Sequence, residues 1–478
     1  MKEDIVIKGR WWIPTKARKK IIGTLTVSPS GRGILELVGT FHYPTAEHDF
    51  GSNFEVILGQ STLGTKVTLH NCQVQSTQVG ATGFETQVYA VDTTFIGLHA
   101  KSVQKLKFKR VRVYFKHLDH LIKNSSVQTT TNKKTLKQTI RISNPKPVHL
   151  LTFNGFNIKI HPTNRLIGSY GASSKIEVNE LTFISIESKK KEQEYQAFLD
   201  IIFKLQQLLT FCLSKPTYPT ELSGDSSSNI IKNNATDSPI YDSIRIITHW
   251  NDLIDPSDTD SIHPFQIVFT FNNPPKKMNK IMMGWFEKSN ENKAIFELYF
   301  ATMFNSKMYL NNIYLTLAQC LESYHRKSPR YHDYLINPDA YQQRVDTVKK
   351  VIKEHSILGN SQRKSIISLL KSGNKPSLEK RIDQLLNNYS SVSPIIIGFE
   401  LHFAKTIADN RNHLTHLDPR SDVRYATNVE LYYLSLRMRL LMITIILDEI
   451  GFGQEDINDI IPRISQGFRL PSINENSD

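Results

Sequence analysis

The sequence predicts an α+β chain in which a β-rich region, sandwich-like or barrel-like and with one inserted helix, precedes an all-α bundle. Three observations lead to this prediction. Up to about Ile186, short apolar runs of even spacing alternate with turn residues. The period becomes helical between residues 189 and 213, and again from about Lys293 to nearly the end. The length of 478 residues exceeds what one hydrophobic core usually serves.

The predicted strands of the first region are separated by turn clusters such as Ser-Pro-Ser-Gly-Arg-Gly at 28–33. They cover residues 5–7, 21–27, 34–38, 54–58, 67–72 and 88–91. Within residues 65–73, alternation places Val67, Leu69 and Asn71 on one face and Cys72 on the other. That pattern predicts a half-buried antiparallel strand.

Residues 101–116 are the most basic stretch of this region. Its apolar residues change phase at Lys109, and a β-bulge there would keep all of them on one side. We favour a solvated strand face for the cations. The alternative is a nucleic-acid patch, in which Tyr114 could stack on a base. The RNA-binding candidates are therefore Lys107, Arg110, Arg112 and Tyr114.

The inserted helix is predicted between residues 189 and 213 by an apolar stripe that includes Tyr195, Phe198 and Ile202. Strands then resume at 243–247 and 265–271, so a sub-boundary falls near 188–240. Helical periodicity begins at about Lys293. We therefore expect a β-rich region at 1–292, a helical domain at 293–465 and a flexible tail at 466–478.

The helical domain begins with a stripe at residues 310, 313, 317, 321 and 324, followed by shorter helices at 342–352, 361–370 and 376–386. A further helix is predicted from about Pro394 to about Arg411, with proline at its first position. The last helix, 427–450, follows a capping box formed by Thr427 and Glu430, and its predicted stripe begins at Val429. We expect these last two helices to lie side by side.

Between those two helices lies the run Asp-Asn-Arg-Asn-His-Leu-Thr-His-Leu-Asp at 409–418, followed by Pro419. On a continuous helix Arg411 and His416 would face different directions. Pro419 disfavours helix at Asp418, so we expect a break that lets the two side chains converge. A polar loop held by two packed helices is a usual place for a functional site.

The run Arg411-Asn412-His413-Leu414-Thr415-His416 resembles the signature of HEPN ribonucleases, and the layout of the whole chain resembles the ApeA family of bacterial anti-phage HEPN proteins. The resemblance implies a C-terminal HEPN helical bundle and a metal-independent endoribonuclease of abortive infection. It also implies 2′,3′-cyclic phosphate and 5′-hydroxyl products, a homodimer, a front region that senses a phage-derived trigger, and tRNA as a substrate.

Metal-free RNA cleavage needs a base, an acid and a cation for the phosphate. We assign proton transfer to His416 and phosphate binding to Arg411, while Asn412 orients the imidazole or the scissile phosphate. Glu322 lies in a run that resembles the end of the family's first long helix, and we expect Glu322, His413 and Asp418 to support the site. One chain offers one such imidazole, which predicts a homodimer or a higher even-numbered assembly.

Two other functions remain open. One is a non-catalytic module that binds RNA, a nucleotide or a protein. The other is a metal site formed by His402, His413, His416 and Asp418, which we rank last because the spacing matches no familiar ligand set. We expect neither a metal nor a cofactor.

The composition favours a soluble cytoplasmic protein. There are 59 Lys and Arg residues against 45 Asp and Glu, a net charge of +14, which favours a polyanionic partner such as RNA. The three cysteines suggest neither disulfides nor a zinc site. We find no signal sequence and no apolar run long enough to span a membrane, so no membrane partner is expected.

Overall fold

The computed structural model describes residues 3–41, 52–79, 84–122, 127–132, 134–135, 137–143, 145–167, 177–231, 240–250, 261–272, 275–305, 307–354, 359–416 and 425–470. The chain forms two compact units. One comprises Met1–Ile262 with Ile267–Trp285, and the other comprises His263–Gln266 with Phe286–Asp478. The first is β-rich and the second helical, so the predicted fold class is confirmed.

Six strands of the β-rich unit close into an antiparallel barrel. They are β1 (Ile5–Trp12), β2 (Ile21–Val27), β3 (Gly33–Val38), β4 (Phe54–Ser61), β5 (Lys66–Val79) and β6 (Glu85–Ile96). Around the ring the order is β6, β3, β2, β1, β4 and β5, and β5 pairs with β6 to close it. Each of the six contains a run that the sequence predicts as a strand.

The barrel interior is built around Trp11, which is fully buried. Alternate residues of each strand point inward, and Leu25 and Leu69 pack in the same core. The indole needs glycine beside it, because a Cβ atom on Gly59 would lie 2.2 Å from the ring. Its Nε1 donates to the carbonyl oxygen of Gly23 at 3.1 Å. The glycines therefore make room for the largest side chain of the core.

The alternation predicted for residues 65–73 is wrong at its end. Asn71 is exposed with a φ of 52°, whereas Cys72 is buried in the same core as Val67 and Leu69. Asn71 is also skipped in the pairing with β6, which continues from His70 to Cys72. Asp92, opposite Asn71, is skipped as well, so the register with β6 is unchanged. The left-handed residue instead turns the strand locally, and the inward face passes from odd to even positions.

Six further strands extend the sheet from β6 in the order β18, β15, β8, β13, β12 and β11. The strands after β6 are β7 (Lys107–Phe108), β8 (Arg110–Phe115), β9 (Val127–Thr131), β10 (Gln138–Ile142), β11 (Val148–Phe153), β12 (Phe156–Ile167), β13 (Glu177–Ser188), β14 (Gln193–Glu194), β15 (Pro219–Asp225), β16 (Ile230–Ile231), β17 (Ile240–Tyr241) and β18 (Ile244–Thr248). Strands β9 and β10, β7 and β14, and β16 and β17 form small separate pairs.

The predicted change of phase at Lys109 is confirmed, because β7 ends and β8 begins on either side of it. The apolar residues on both sides of the step are buried, namely Leu106, Phe108, Val111, Val113 and Phe115. The strand predicted at 265–271 is wrong. Pro264–Gln266 forms a 3₁₀ turn, and the amides of Val268 and Phe271 donate to the carbonyls of Cys212 and Leu121 instead of to a neighbouring strand.

Helix α1 (Tyr195–Leu213) is the core helix of the β-rich unit, as its apolar stripe predicts. The rings of Tyr195 and Phe198 meet Phe108 edge-on, with centroids 5.9 and 6.4 Å away. By length and composition alone α1 could cross a membrane, which corrects our expectation that no such run exists. However, 67% of it is buried inside the protein, as in the core helix of a soluble domain.

The remaining helices are α2 (Pro275–Glu291), α3 (Lys293–Phe304), α4 (Leu310–Lys327), α5 (Pro338–Glu354), α6 (Asn360–Ser372), α7 (Leu378–Asn388), α8 (Ser393–Ile397), α9 (Phe403–His416), α10 (Asn428–Glu449) and α11 (Gln454–Gly467). Helix α4 is central in the helical unit and contacts α3, α7, α9 and α10. Its buried face includes Leu317, Leu321 and Tyr324, as the stripe predicts.

The single helix predicted from Pro394 to Arg411 is wrong, because the chain breaks at Gly398 into α8 and α9. Gly398 has a φ of 61° and lies against the guanidinium of Arg437. This buried guanidinium donates to the carbonyl oxygen of Ile396 at 3.0 Å, so it satisfies the end of α8. The predicted break after Arg411 is also wrong, since α9 continues to His416.

The capping box of α10 is confirmed, with the Thr427 amide donating to Glu430 at 2.7 Å. Its predicted apolar stripe is wrong in the first turns, because Val429 and Tyr432 are 65% and 51% exposed whereas Leu431 is buried. Farther along, α10 is enclosed and buries nearly every residue. The side-by-side packing predicted for the last two helices holds for α8, but α9 packs mainly on α4 and α7.

Candidate active site

A cleft of about 420 Å³ lies between α4 and α9. Helix α9 contributes Arg411 and Thr415 to it. Helix α4 contributes a stripe with helical spacing, namely Leu315, Gln319, Glu322, Ser323 and Arg326. This stripe lies on the side of α4 opposite its buried apolar face. The apolar face packs in the core, and the opposite face presents polar groups to the cleft.

The carboxylate of Glu322 lies between two guanidinium groups. One oxygen accepts a hydrogen bond from Arg326 Nη2 at 2.6 Å, and the other is 3.6 Å from Arg411 Nη2. Only 15% of the Glu322 side chain is exposed, against 36% for Arg411 and 54% for Arg326. One carboxylate thus offsets the repulsion between two cations, and the three groups together retain a positive charge suited to an anion.

Arg411 and His416 lie on one continuous helix, about 140° apart around its axis. Arg411 faces the cleft, whereas His416 is exposed. Asn412 is placed between them: its Oδ1 accepts from Arg411 Nη1 at 3.1 Å, and it shares the His416 face of the helix. Within the part of the chain that the structure describes, the His416 imidazole makes no hydrogen bond.

A third face of α9 holds the chain that leads into α10. Asn410 is buried, and its Oδ1 accepts from the amide of Ala426 at 2.8 Å. One turn later, the His413 ring stacks on Tyr425 with centroids 3.7 Å apart. His413 therefore packs on the residues that lead directly into α10 and turns away from the Arg411 cleft. Asp418, expected to support the site, lies outside the described residues.

The four-residue metal site does not form among the residues that the structure describes. His402 immediately precedes α9 and His416 ends it, so they lie about 21 Å apart along the axis. Across the described ranges, no three His, Cys, Asp or Glu side chains are grouped to hold a metal ion. The fourth proposed ligand, Asp418, falls in the undescribed stretch after α9.

The site predicted from sequence does not include Arg326, Gln319 and Ser323, which are polar residues of the cleft on α4. The available signal was that these polar residues follow helical spacing on the side of α4 away from its apolar stripe. That pattern cannot reveal that α9 is the helix they face.

The RNA-binding candidates of the β-rich unit lie on or beside β8, an interior strand. Arg110 and Arg112 each reach within 2.6 Å of one carboxylate oxygen of Asp225, which is 1% exposed. The Tyr114 ring packs on Phe183, with centroids 5.3 Å apart. Lys107 is exposed. The arginines are thus held by a buried acid, and RNA binding by these residues stays a prediction.

Replacing Asp225 with alanine is expected to lower the free energy of unfolding by about 2 kcal/mol, because Arg110 and Arg112 lose their buried partner. The loss is limited because both guanidinium groups are partly exposed to water. Urea unfolding of the two proteins measures this difference. The matched control is Asp242→Ala, an exposed acid before β18, which should change stability little. Equal stability of both variants would contradict a structural role for the two ion pairs.

Comparison with protein families finds two matches. Residues 6–285, more than half of the chain, match ApeA N-terminal domain 1. Residues 315–456 match the Apea-like HEPN domain, and this range contains Glu322, Arg326, Arg411 and His416. Comparison with curated proteins and with solved structures finds no match.

Proposed function

Because the chain belongs to the ApeA family of HEPN nuclease-type anti-phage defence proteins, we propose that it is a metal-independent endoribonuclease. The observation that carries the proposal is the cationic cleft between α4 and α9. There Arg411 is oriented by Glu322 and Asn412, on the same helix that ends in the exposed His416.

The proposed reaction is a transesterification within RNA. A base takes the proton of the 2′-hydroxyl, whose oxygen attacks the adjacent phosphorus. The bond from phosphorus to the 5′-oxygen breaks, and an acid protonates that oxygen. The products are a 2′,3′-cyclic phosphate and a 5′-hydroxyl. His416 suits the proton transfers because a histidine titrates near neutrality, and Arg411 suits the charge that builds on the phosphate.

The test is cleavage of RNA by the purified full-length protein with and without excess EDTA. We expect equal rates, since the arginines of the cleft supply the positive charge that a metal would otherwise provide. The products should carry cyclic phosphate ends, which are resistant to phosphatase until opened by acid. A DNA strand of the same sequence should remain intact, because it lacks the attacking 2′-hydroxyl.

Two results would overturn this mechanism. One is a 3′-hydroxyl product, or activity that appears only with added Mg²⁺ or Mn²⁺, which indicates metal-assisted hydrolysis. The other is tight RNA binding without cleavage under any condition tested. That result favours the rival function, a non-catalytic binding module that uses the same cationic cleft.

Glu322 is proposed as a positioning residue for both arginines. Glu322→Gln keeps the shape of the side chain but removes its charge. We expect kcat to fall about 10-fold to 100-fold with little change in KM, because a misplaced guanidinium loses mainly its stabilisation of the transition state. Glu322→Asp should recover part of the loss. The control is Glu297→Gln, whose side chain is 55% exposed on α3. A wild-type kcat for Glu322→Gln would remove Glu322 from the site.

The partners follow from the same proposal. RNA, with tRNA as the first substrate to test, fits the positive charge of the cleft and the net charge of +14. A homodimer or higher even-numbered assembly through the helical unit would complete the site. The β-rich unit would recognise a phage-derived trigger, and the protein would act in the cytoplasm.

A further inference from the structure

The outer face of the barrel carries an open groove of about 840 Å³ that crosses β4, β1, β2, β3 and β6. One row of side chains runs through it in register. It consists of Gln60, Arg10, Ile22, Val38 and Thr86, each opposite the next on the neighbouring strand. The pairing of the strands fixes the backbone positions from which these side chains project.

A second row runs parallel to the first, two residues away along the strands. Here Lys8, Thr24, Glu36 and Val88 are opposite one another in turn. Lys8 and Arg10 therefore form a cationic wall on β1. Among the residues that the structure describes, neither side chain has an ion-pair partner.

The centre of the groove is apolar and open. Ile22 is 64% exposed and Val38 is 54% exposed, and they are neighbours across β2 and β3. These two aliphatic side chains form one contiguous apolar patch with polar residues around it, an arrangement suited to contact with an apolar side chain. The groove has a cationic side, an aliphatic centre and one acid, Glu36, on the side away from β1.

We propose that this groove binds an extended, acidic peptide segment of a partner protein, with carboxylates at Lys8 and Arg10 and an aliphatic side chain on Ile22 and Val38. Five strands about 4.8 Å apart span about 19 Å, the length of about six extended residues. Glu36 would accept a hydrogen bond from an amide of the peptide.

The lining argues against nucleic acid in the same place. No aromatic side chain lines the groove in the described residues, so a base would find no ring on which to stack. Glu36 would also repel a phosphate backbone that crosses from the cationic wall to β3. An aliphatic pair beside two cations matches a peptide better than it matches a polyanion.

The test is fluorescence anisotropy of the full-length protein with labelled hexapeptides that contain two acidic, two aliphatic and two serine residues in varied order. We expect at least one order to bind with Kd below about 100 μM, a free energy within reach of a groove of this size. The same peptides with lysine in place of the acids should not bind, and neither should labelled hexauridylate.

The double variant Arg10→Glu with Ile22→Ser is expected to weaken the best peptide at least 10-fold. Its matched control is Lys137→Glu with Ile140→Ser, an exposed cation and an exposed isoleucine elsewhere in the same unit, which should leave Kd unchanged. Should the double variant unfold, Lys8→Glu alone, at an exposed position, must weaken binding as well.

Three outcomes would overturn the proposal. The first is that no acidic peptide binds with a Kd below about 1 mM, a free energy of only about −4 kcal/mol. The second is that the groove variants bind the peptide as well as the control does, and the third is that hexauridylate binds with the same sensitivity to Arg10→Glu. The last outcome would make the groove a nucleic-acid site. The measurement uses no RNA cleavage, so its failure is independent of the proposed nuclease activity.

Discussion

Replacing His416 with alanine is expected to slow RNA cleavage by about 10²-fold to 10⁴-fold, the usual loss when a proton-transfer group is removed. The free energy of unfolding should stay unchanged, because His416 is exposed at the end of α9 and belongs to no apolar face. Single-turnover cleavage and urea unfolding of the same preparations measure the two quantities together.

Arg411→Ala should cause a loss of similar size, because the cleft then lacks the one guanidinium that contacts both Asn412 and Glu322 among the described residues. Arg411→Lys separates charge from geometry. A lysine keeps the charge but cannot hold two phosphate oxygens in a planar fork, so we expect only partial recovery. The matched control is Lys405→Ala, an exposed cation on α9. Wild-type activity in His416→Ala or Arg411→Ala would contradict the assignment of the site.

The strands of the barrel could be predicted from sequence because each residue there faces either the core or the outside. Strand β2 runs from Ile21 to Val27, as its alternation predicts. Prediction failed where a distant side chain decides the local backbone. The residues around Gly398 do not indicate that a guanidinium from α10 ends the helix there. The apolar residues on both sides of Gly398 keep helical spacing, which predicts one continuous helix.

The candidate site, too, could be predicted from sequence only in part. Arg411 and His416 are close in sequence, so the motif could be recognised, and Glu322 could be singled out on the earlier helix. The cleft itself depends on α9 packing against α4, and no periodicity specifies which helix a polar face will meet. Arg326 was overlooked for this reason: its importance comes from sharing a carboxylate with Arg411, which is a tertiary contact.

Because α9 is continuous, we propose that the complete site is formed by two protomers. Within one chain, Arg411 faces the cleft while His416 points about 140° away around the helix. Transesterification needs a base and an acid on opposite sides of the phosphate. In the described part of the motif, His416 is the one exposed imidazole. A two-fold axis near the end of α9 would supply the second, because in such an interface the same surface meets itself. Glu322 would limit the repulsion between the paired arginines, and a bound phosphate would offset the rest.

A mixed dimer tests this arrangement. Wild-type and His416→Ala chains with different tags are co-expressed, and the species that carries both tags is isolated. If the acid and the base come from different protomers, this species should lose about 10²-fold or more in rate, as the all-mutant dimer does. A mixed dimer of wild-type and Lys405→Ala chains, isolated in the same way, controls for tags and handling and should keep full activity. Half of the wild-type rate from the His416→Ala species, or full activity from a demonstrated monomer, would show that each chain carries its own complete site. In that case the second proton-transfer group must be sought on the same chain, near Arg411 in the cleft.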